Sequence, residues 1–87
     1  MLMNPKTHIG NIVIQALREK DLTIAWLARQ VGCDENNFYK KLRENIISKE
    51  LLYRISYVLR EDFFAHYSKE LTEKLVNFDN NGGKNLP

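Results

Sequence analysis

The sequence predicts an all-α protein built from five helices. Three observations carry that prediction. Apolar residues recur at i, i+3, i+4 and i+7 through most of the chain, which is the spacing of one helix face. No stretch alternates with period two for long enough to argue a strand. No proline interrupts the chain between Lys6 and Leu86.

The first helix is expected over roughly residues 7–20, where Ile9, Ile12, Val13, Ala16 and Leu17 make one stripe. Thr7 is its expected N-cap, and Pro5 sits just before it. Asp21 and Leu22 interrupt the pattern. Thr23 is then placed to cap a second helix whose stripe is Ile24, Leu27, Ala28 and Val31. Gly32 ends that helix, because glycine accepts the left-handed conformation just past a helix. Asp34 caps a third helix, about residues 34–44, with Glu35 in a first turn whose dipole favours a carboxylate. Phe38 and Leu42, at i and i+4, turn one side of it inward. After a short link at residues 45–47, Ser48 caps a fourth helix with the stripe Leu51, Leu52, Ile55, Val58 and Leu59. A fifth begins near Asp62 and is expected to reach about Asn77, its face made by Phe63, Phe64, Tyr67, Leu71 and Leu75. The expected organisation is one domain over residues 1–78 and a flexible Asn- and Gly-rich tail over 79–87.

Composition narrows the function classes. Eighty-seven residues with 44% hydrophobic and 28% charged content suit one small globular domain. The net charge is only +2, but it is unevenly placed. Residues 1–60 hold ten Lys/Arg against six Asp/Glu, net +4, and residues 61–87 hold three against five, net −2. Any cationic surface therefore belongs to the first two thirds. The N-terminal MLMNPKTHIG has no long apolar run, so neither a signal peptide nor a membrane span is expected. One cysteine, Cys33, allows no internal disulfide, which fits a cytoplasmic location. Cys33 is expected as a small buried residue at the turn. His8, His66 and Cys33 have unrelated spacings, so no metal site is expected. No nucleophile–base set and no phosphate-binding glycine loop is present, so neither an enzyme, a cofactor nor a small-molecule substrate is expected.

The unit that carries function is the second helix, Gly32 and the third helix. Two helices joined by a short glycine-containing turn are the signature of a helix-turn-helix. The spacing fits: Ala28 is the small residue where the helices cross, Val31 the apolar residue before the turn, and Phe38 the anchor after it. With Phe38 and Leu42 inward, Asn36, Lys40 and Arg43 lie on the far side, flanked by Asn37 and Glu44, with Tyr39 at the margin. Asparagine can bond adenine bidentately in the major groove, and lysine or arginine can bond guanine or phosphate. The plain alternative is a solvated helix face.

The stretch LTIAWLARQVGCDENNFYKKL, residues 22–42, resembles the phage-repressor/Cro-like (XRE-type) helix-turn-helix family. LLYRISYVLREDFF, residues 51–64, resembles the family's fourth helix and the start of its next segment. The WLA, GCD, N-x-Y, RIS and DFF elements are similar to small Bacteroidetes-type members. The resemblance covers about residues 8–67. It implies a compact five-helix lambda-repressor-like domain and a transcriptional regulator that binds double-stranded DNA as a homodimer. It implies base contacts from Glu35, Asn36, Tyr39 and Lys40, and phosphate contacts from Thr23, Arg43, Asn45 and Lys49. Half-sites would lie about one helical turn apart. Three positions depart from the family pattern. Ile24 stands where glutamine is common, Lys41 where an apolar residue is expected, and Glu35 where a neutral or basic tip is common.

Other residues have two readings. Trp26 is expected to pack between helices rather than to stack on bases. Arg29, Lys49 and Arg54 are either phosphate contacts or solvated charges. Phe63, Phe64, Tyr67, Leu71 and Leu75 offer more apolar surface than a small core needs. They either close the core or form a homodimer interface. The rival function is a protein-interaction or adaptor module that uses this aromatic fifth helix as its surface.

Overall fold

The computed structural model describes residues 6–82, with side chains described through residue 76. Five α-helices occur in order: α1 Ile9–Glu19, α2 Ile24–Val31, α3 Glu35–Glu44, α4 Lys49–Leu59 and α5 Phe64–Gly82. No strand occurs among the described residues, and the protein is all-α. None of the described helices is long and apolar enough to cross a membrane.

Three helix starts obey the expected capping chemistry. Thr23 Oγ1 accepts the Trp26 N–H at 3.0 Å, Asp34 Oδ2 the Asn37 N–H at 3.1 Å, and Ser48 Oγ the Leu51 N–H at 3.1 Å. Each satisfies a first-turn donor that has no partner within its own helix. The start of α1 departs from expectation. His8, not Thr7, is the cap, and its Nδ1 accepts the Asn11 N–H at 3.0 Å. Thr7 is engaged elsewhere, giving its N–H and its hydroxyl to Glu70.

Three helices end on a left-handed residue. Gly32 (φ 79°) closes α2, and a Cβ there would meet nothing within 4 Å. Its glycine answers the backbone angle rather than a lack of space. Asn45 (φ 57°) closes α3 and Arg60 (φ 56°) closes α4 without that freedom.

Contacts group the chain into two units, His8–Phe63 and the remainder. In the first, α1 packs on α3, and α2 packs on both α3 and α4. Ile9, Val13, Leu17, Leu27, Phe38, Leu42, Ile55 and Phe63 are fully buried, each contributing about 1.5–3 kcal/mol of apolar burial. Gly10 sets how closely α1 approaches α3. A Cβ on it would stand 1.8 Å from the Leu42 carbonyl oxygen. The seat is polar as well as close. Asn45 Oδ1 accepts the Gly10 N–H at 3.1 Å, and His8 Nε2 donates to the Arg43 carbonyl at 3.1 Å. These two bonds tie the start of α1 to the end of α3.

The second unit holds residues 6–7 and α5. Glu70 organises it. Its carboxylate accepts the N–H of Lys6 at 2.7 Å, the N–H of Thr7 at 2.8 Å, the Thr7 hydroxyl, and the Lys74 ammonium at 2.9 Å. The Thr7 hydroxyl and then the other donors favour its charged form, so its pKa is lowered to about 2. Burial, and then the Glu70 charge, raise the Tyr67 phenol. The helix starts at Phe64, close to the expected Asp62, and the Phe63 N–H just before it is held by Ser56 Oγ at 3.3 Å. It continues to Gly82, past the expected end at Asn77, so residues 79–82 of the expected tail are helical. Residues 83–87 of that tail, and Pro5, lie outside the described residues.

Candidate functional site

The exposed side of α3 is built by what lies beneath it. Phe38 and Leu42 are both 0% exposed, and they fix which way the helix faces. That inward pair is the expected one, and the departure at Lys41 leaves it intact, since Lys41 is exposed. Glu35, Asn36, Asn37, Tyr39, Lys40, Arg43 and Glu44 all stay exposed on the remaining arc. The left-handed Gly32 lets α3 leave α2 at an angle, and the Cys33 N–H closes the turn on the Ala28 carbonyl at 2.8 Å. Cys33 itself is half-buried rather than buried.

The expected contact residues fall into two groups. Glu35, Asn36, Tyr39, Lys40 and Arg43 share the free face of one helix. Arg43 lies over the Tyr39 ring, 5.6 Å from its centroid, so the planar cation and the aromatic form one unit. Thr23 and Lys49 come from the starts of α2 and α4, and both are exposed. Asn45 is half-buried, and its amide oxygen is committed to Gly10.

Other residues settle differently. Arg54 does not project as a free charge, because its Nη1 donates to the Val31 carbonyl at 3.4 Å. It braces the end of α2, where the helix dipole favours a cation. Trp26 and Ile24 are half-buried on α2. Of the five residues expected at a dimer contact, Phe63 closes the core at 0% exposure and cannot present a surface. Phe64 and Tyr67 are half-buried. Leu71 and Leu75 are 57% and 55% exposed, joined by Val76.

One feature of α3 is not evident from the sequence. Asn37, Lys40, Lys41, Glu44 and Ile46 line a shallow cleft of about 260 Å³ on its surface. It mixes two ammonium groups, an amide, one carboxylate and the exposed Ile46 side chain. The only signal in the sequence is Ile46 itself, an apolar residue in a polar link. Cations occupy the middle of the α3 face, and Glu35 and Glu44 its two ends. Among the described residues no three His, Cys, Asp or Glu side chains are grouped to hold a metal. Comparison with protein-family models, curated proteins and solved structures returned no match to this chain.

Proposed function

We propose that the chain is a sequence-specific, double-stranded-DNA-binding transcriptional regulator of the cytoplasm that acts as a homodimer. In this reading α2 and α3 form a helix-turn-helix, and α3 enters the major groove. The supporting observation is the division of α3: Phe38 and Leu42 fully buried, and Asn36, Tyr39, Lys40 and Arg43 all exposed on one arc. That set combines an amide that can pair with adenine, cations that can pair with guanine or phosphate, and an aromatic edge. Asn36 and Lys40 are assigned to base edges, with Glu35 and Tyr39 beside them. Thr23, Arg43, Asn45 and Lys49 are assigned to the backbone.

The test is selection from a random duplex library with the purified protein at two salt concentrations, beside an Asn36→Ala/Lys40→Ala variant. The expected outcome is an enriched two-fold motif, bound more weakly at high salt and lost in the variant. Weak, salt-sensitive binding with no enrichment, shared by the variant, overturns the reading.

A second reading has its own observation. Leu71, Leu75 and Val76 are each at least half exposed on α5, which fits a protein-docking module. It predicts that Leu71→Glu/Leu75→Glu abolishes function while leaving any DNA binding unchanged.

A further inference from the structure

Among the described residues, the two most exposed large hydrophobic side chains lie on α4, not on α3 or α5. Tyr53 is 68% and Tyr57 64% exposed. Their i, i+4 spacing stacks them on one face, opposite the buried Leu51, Leu52, Ile55 and Leu59. Arg60 lies over the Tyr57 ring at 4.9 Å. Glu50, in the first turn of the same helix, is exposed, and so is the left-handed Arg60 that closes it. Tyrosine and arginine are the residue types that anchor protein interfaces.

The order of these residues matters more than their kinds. Tyr53 and Tyr57 stand two residues on either side of Ile55. Glu50 and Arg60 stand five on either side of it. A two-fold axis level with Ile55, relating two antiparallel copies of α4, therefore sets Tyr53 against the other copy's Tyr57. The same axis sets Glu50 against Arg60. These two charged positions each meet their opposite, while Arg54 falls level with Ser56. A parallel pairing sets Glu50 on Glu50 and Arg60 on Arg60, which is repulsive. Glu50 makes no ion pair among the described residues, so its charge is available to a partner.

We infer that the outer face of α4 is the surface on which two copies of this chain associate, antiparallel, through Tyr53 and Tyr57. The tyrosines supply the contact area, and the charges select the orientation. One helix per copy is a small interface, so the association is concentration-dependent. It requires no DNA, and its test stands apart from the DNA-binding test.

The experiment is analytical ultracentrifugation of the full chain over a range of concentrations without nucleic acid. Circular dichroism confirms that each variant is folded, which exposed positions allow. The wild type is expected to form a dimer that dissociates on dilution. Tyr53→Ala/Tyr57→Ala should weaken it at least about tenfold. Glu50→Arg alone, and Arg60→Glu alone, should each be monomeric, since each sets like charges together in a pair of identical chains. An equimolar mixture of those two variants should recover a dimer, because the introduced arginine then meets the introduced glutamate. A monomeric wild type at every concentration overturns the inference. So does a dimer that survives the tyrosine and charge variants but is lost in Leu71→Glu/Leu75→Glu. So does a mixture of the charge variants that stays monomeric.

Discussion

Helices α3 and α4 are built alike underneath and unlike on top. Each starts with a side-chain cap, Asp34 or Ser48, and each ends on a left-handed residue that is not glycine, Asn45 or Arg60. Each buries a narrow apolar stripe completely. Their free faces then diverge. On α3 that face carries amides and cations with one ring at the margin, and on α4 it carries two tyrosines framed by opposite charges. The shared scaffold fixes which face of each helix is free. The difference lies in side chains that contribute nothing to the core, and such residues are where partners are read. In the proposed reading the amide-and-cation face meets a polyanion with hydrogen-bonding edges. The tyrosine face suits another protein surface.

The comparison breaks most severely at Gly10. It stands under α3 but not under α4, and any Cβ there meets the Leu42 carbonyl oxygen at 1.8 Å. The obstacle is backbone, so no side-chain rotation relieves it. Gly10→Ala gains about 1 kcal/mol of helix propensity. It loses more, about 3 kcal/mol or beyond, because α1 and α3 must separate. The net expectation is a clear fall in the urea midpoint, with the end of α3 losing amide-exchange protection before α4 does. A variant as stable as the wild type would show that α1 and α3 are free to slide.

The caps test whether the two scaffolds are energetically equal. Asp34→Ala and Ser48→Ala each remove one acceptor from a first-turn N–H, at 3.1 Å in both cases. Each should destabilise by about 1 kcal/mol in denaturant unfolding. A difference well above that between the two would mean that one helix start carries a further load.

Much of this architecture was legible in the sequence. The apolar stripes placed five helices, and Thr23, Asp34 and Ser48 are caps because a short polar side chain can fold back onto its own first turn. Gly32 was legible for the same local reason. What was hidden depends on partners far along the chain. His8 displaces Thr7 as a cap because its other ring nitrogen reaches the Arg43 carbonyl, 35 residues away. Gly10 looks like an ordinary helical glycine until α3 lies across it. Glu70 reads as one acid among several, yet it collects four donors, three of them from residues 6 and 7. The α3 face was legible as a list of residues. The Arg43–Tyr39 stack and the cleft at Ile46 were not, because both depend on where side chains come to rest. Tyr53 and Tyr57 give no signal because they fall between the stripes that mark a core.

The smallest effect separates the two helix ends by sign. Asn45 and Arg60 both hold a left-handed angle that costs an ordinary residue about 1–2 kcal/mol. Glycine removes that cost, less its own chain entropy of about 0.5–1 kcal/mol. At Arg60 the change also gives up the stack on Tyr57, worth about 0.5 kcal/mol at an exposed site. Arg60→Gly should therefore be neutral or stabilising by roughly a few tenths of a kcal/mol. At Asn45 the same change deletes the acceptor of the buried Gly10 N–H. An unsatisfied buried donor costs about 1–3 kcal/mol, more than the angle returns. Asn45→Gly should therefore destabilise while Arg60→Gly does not, read as opposite shifts in thermal midpoint. If both shift the same way, the Asn45 oxygen is not what ties the end of α3 to α1.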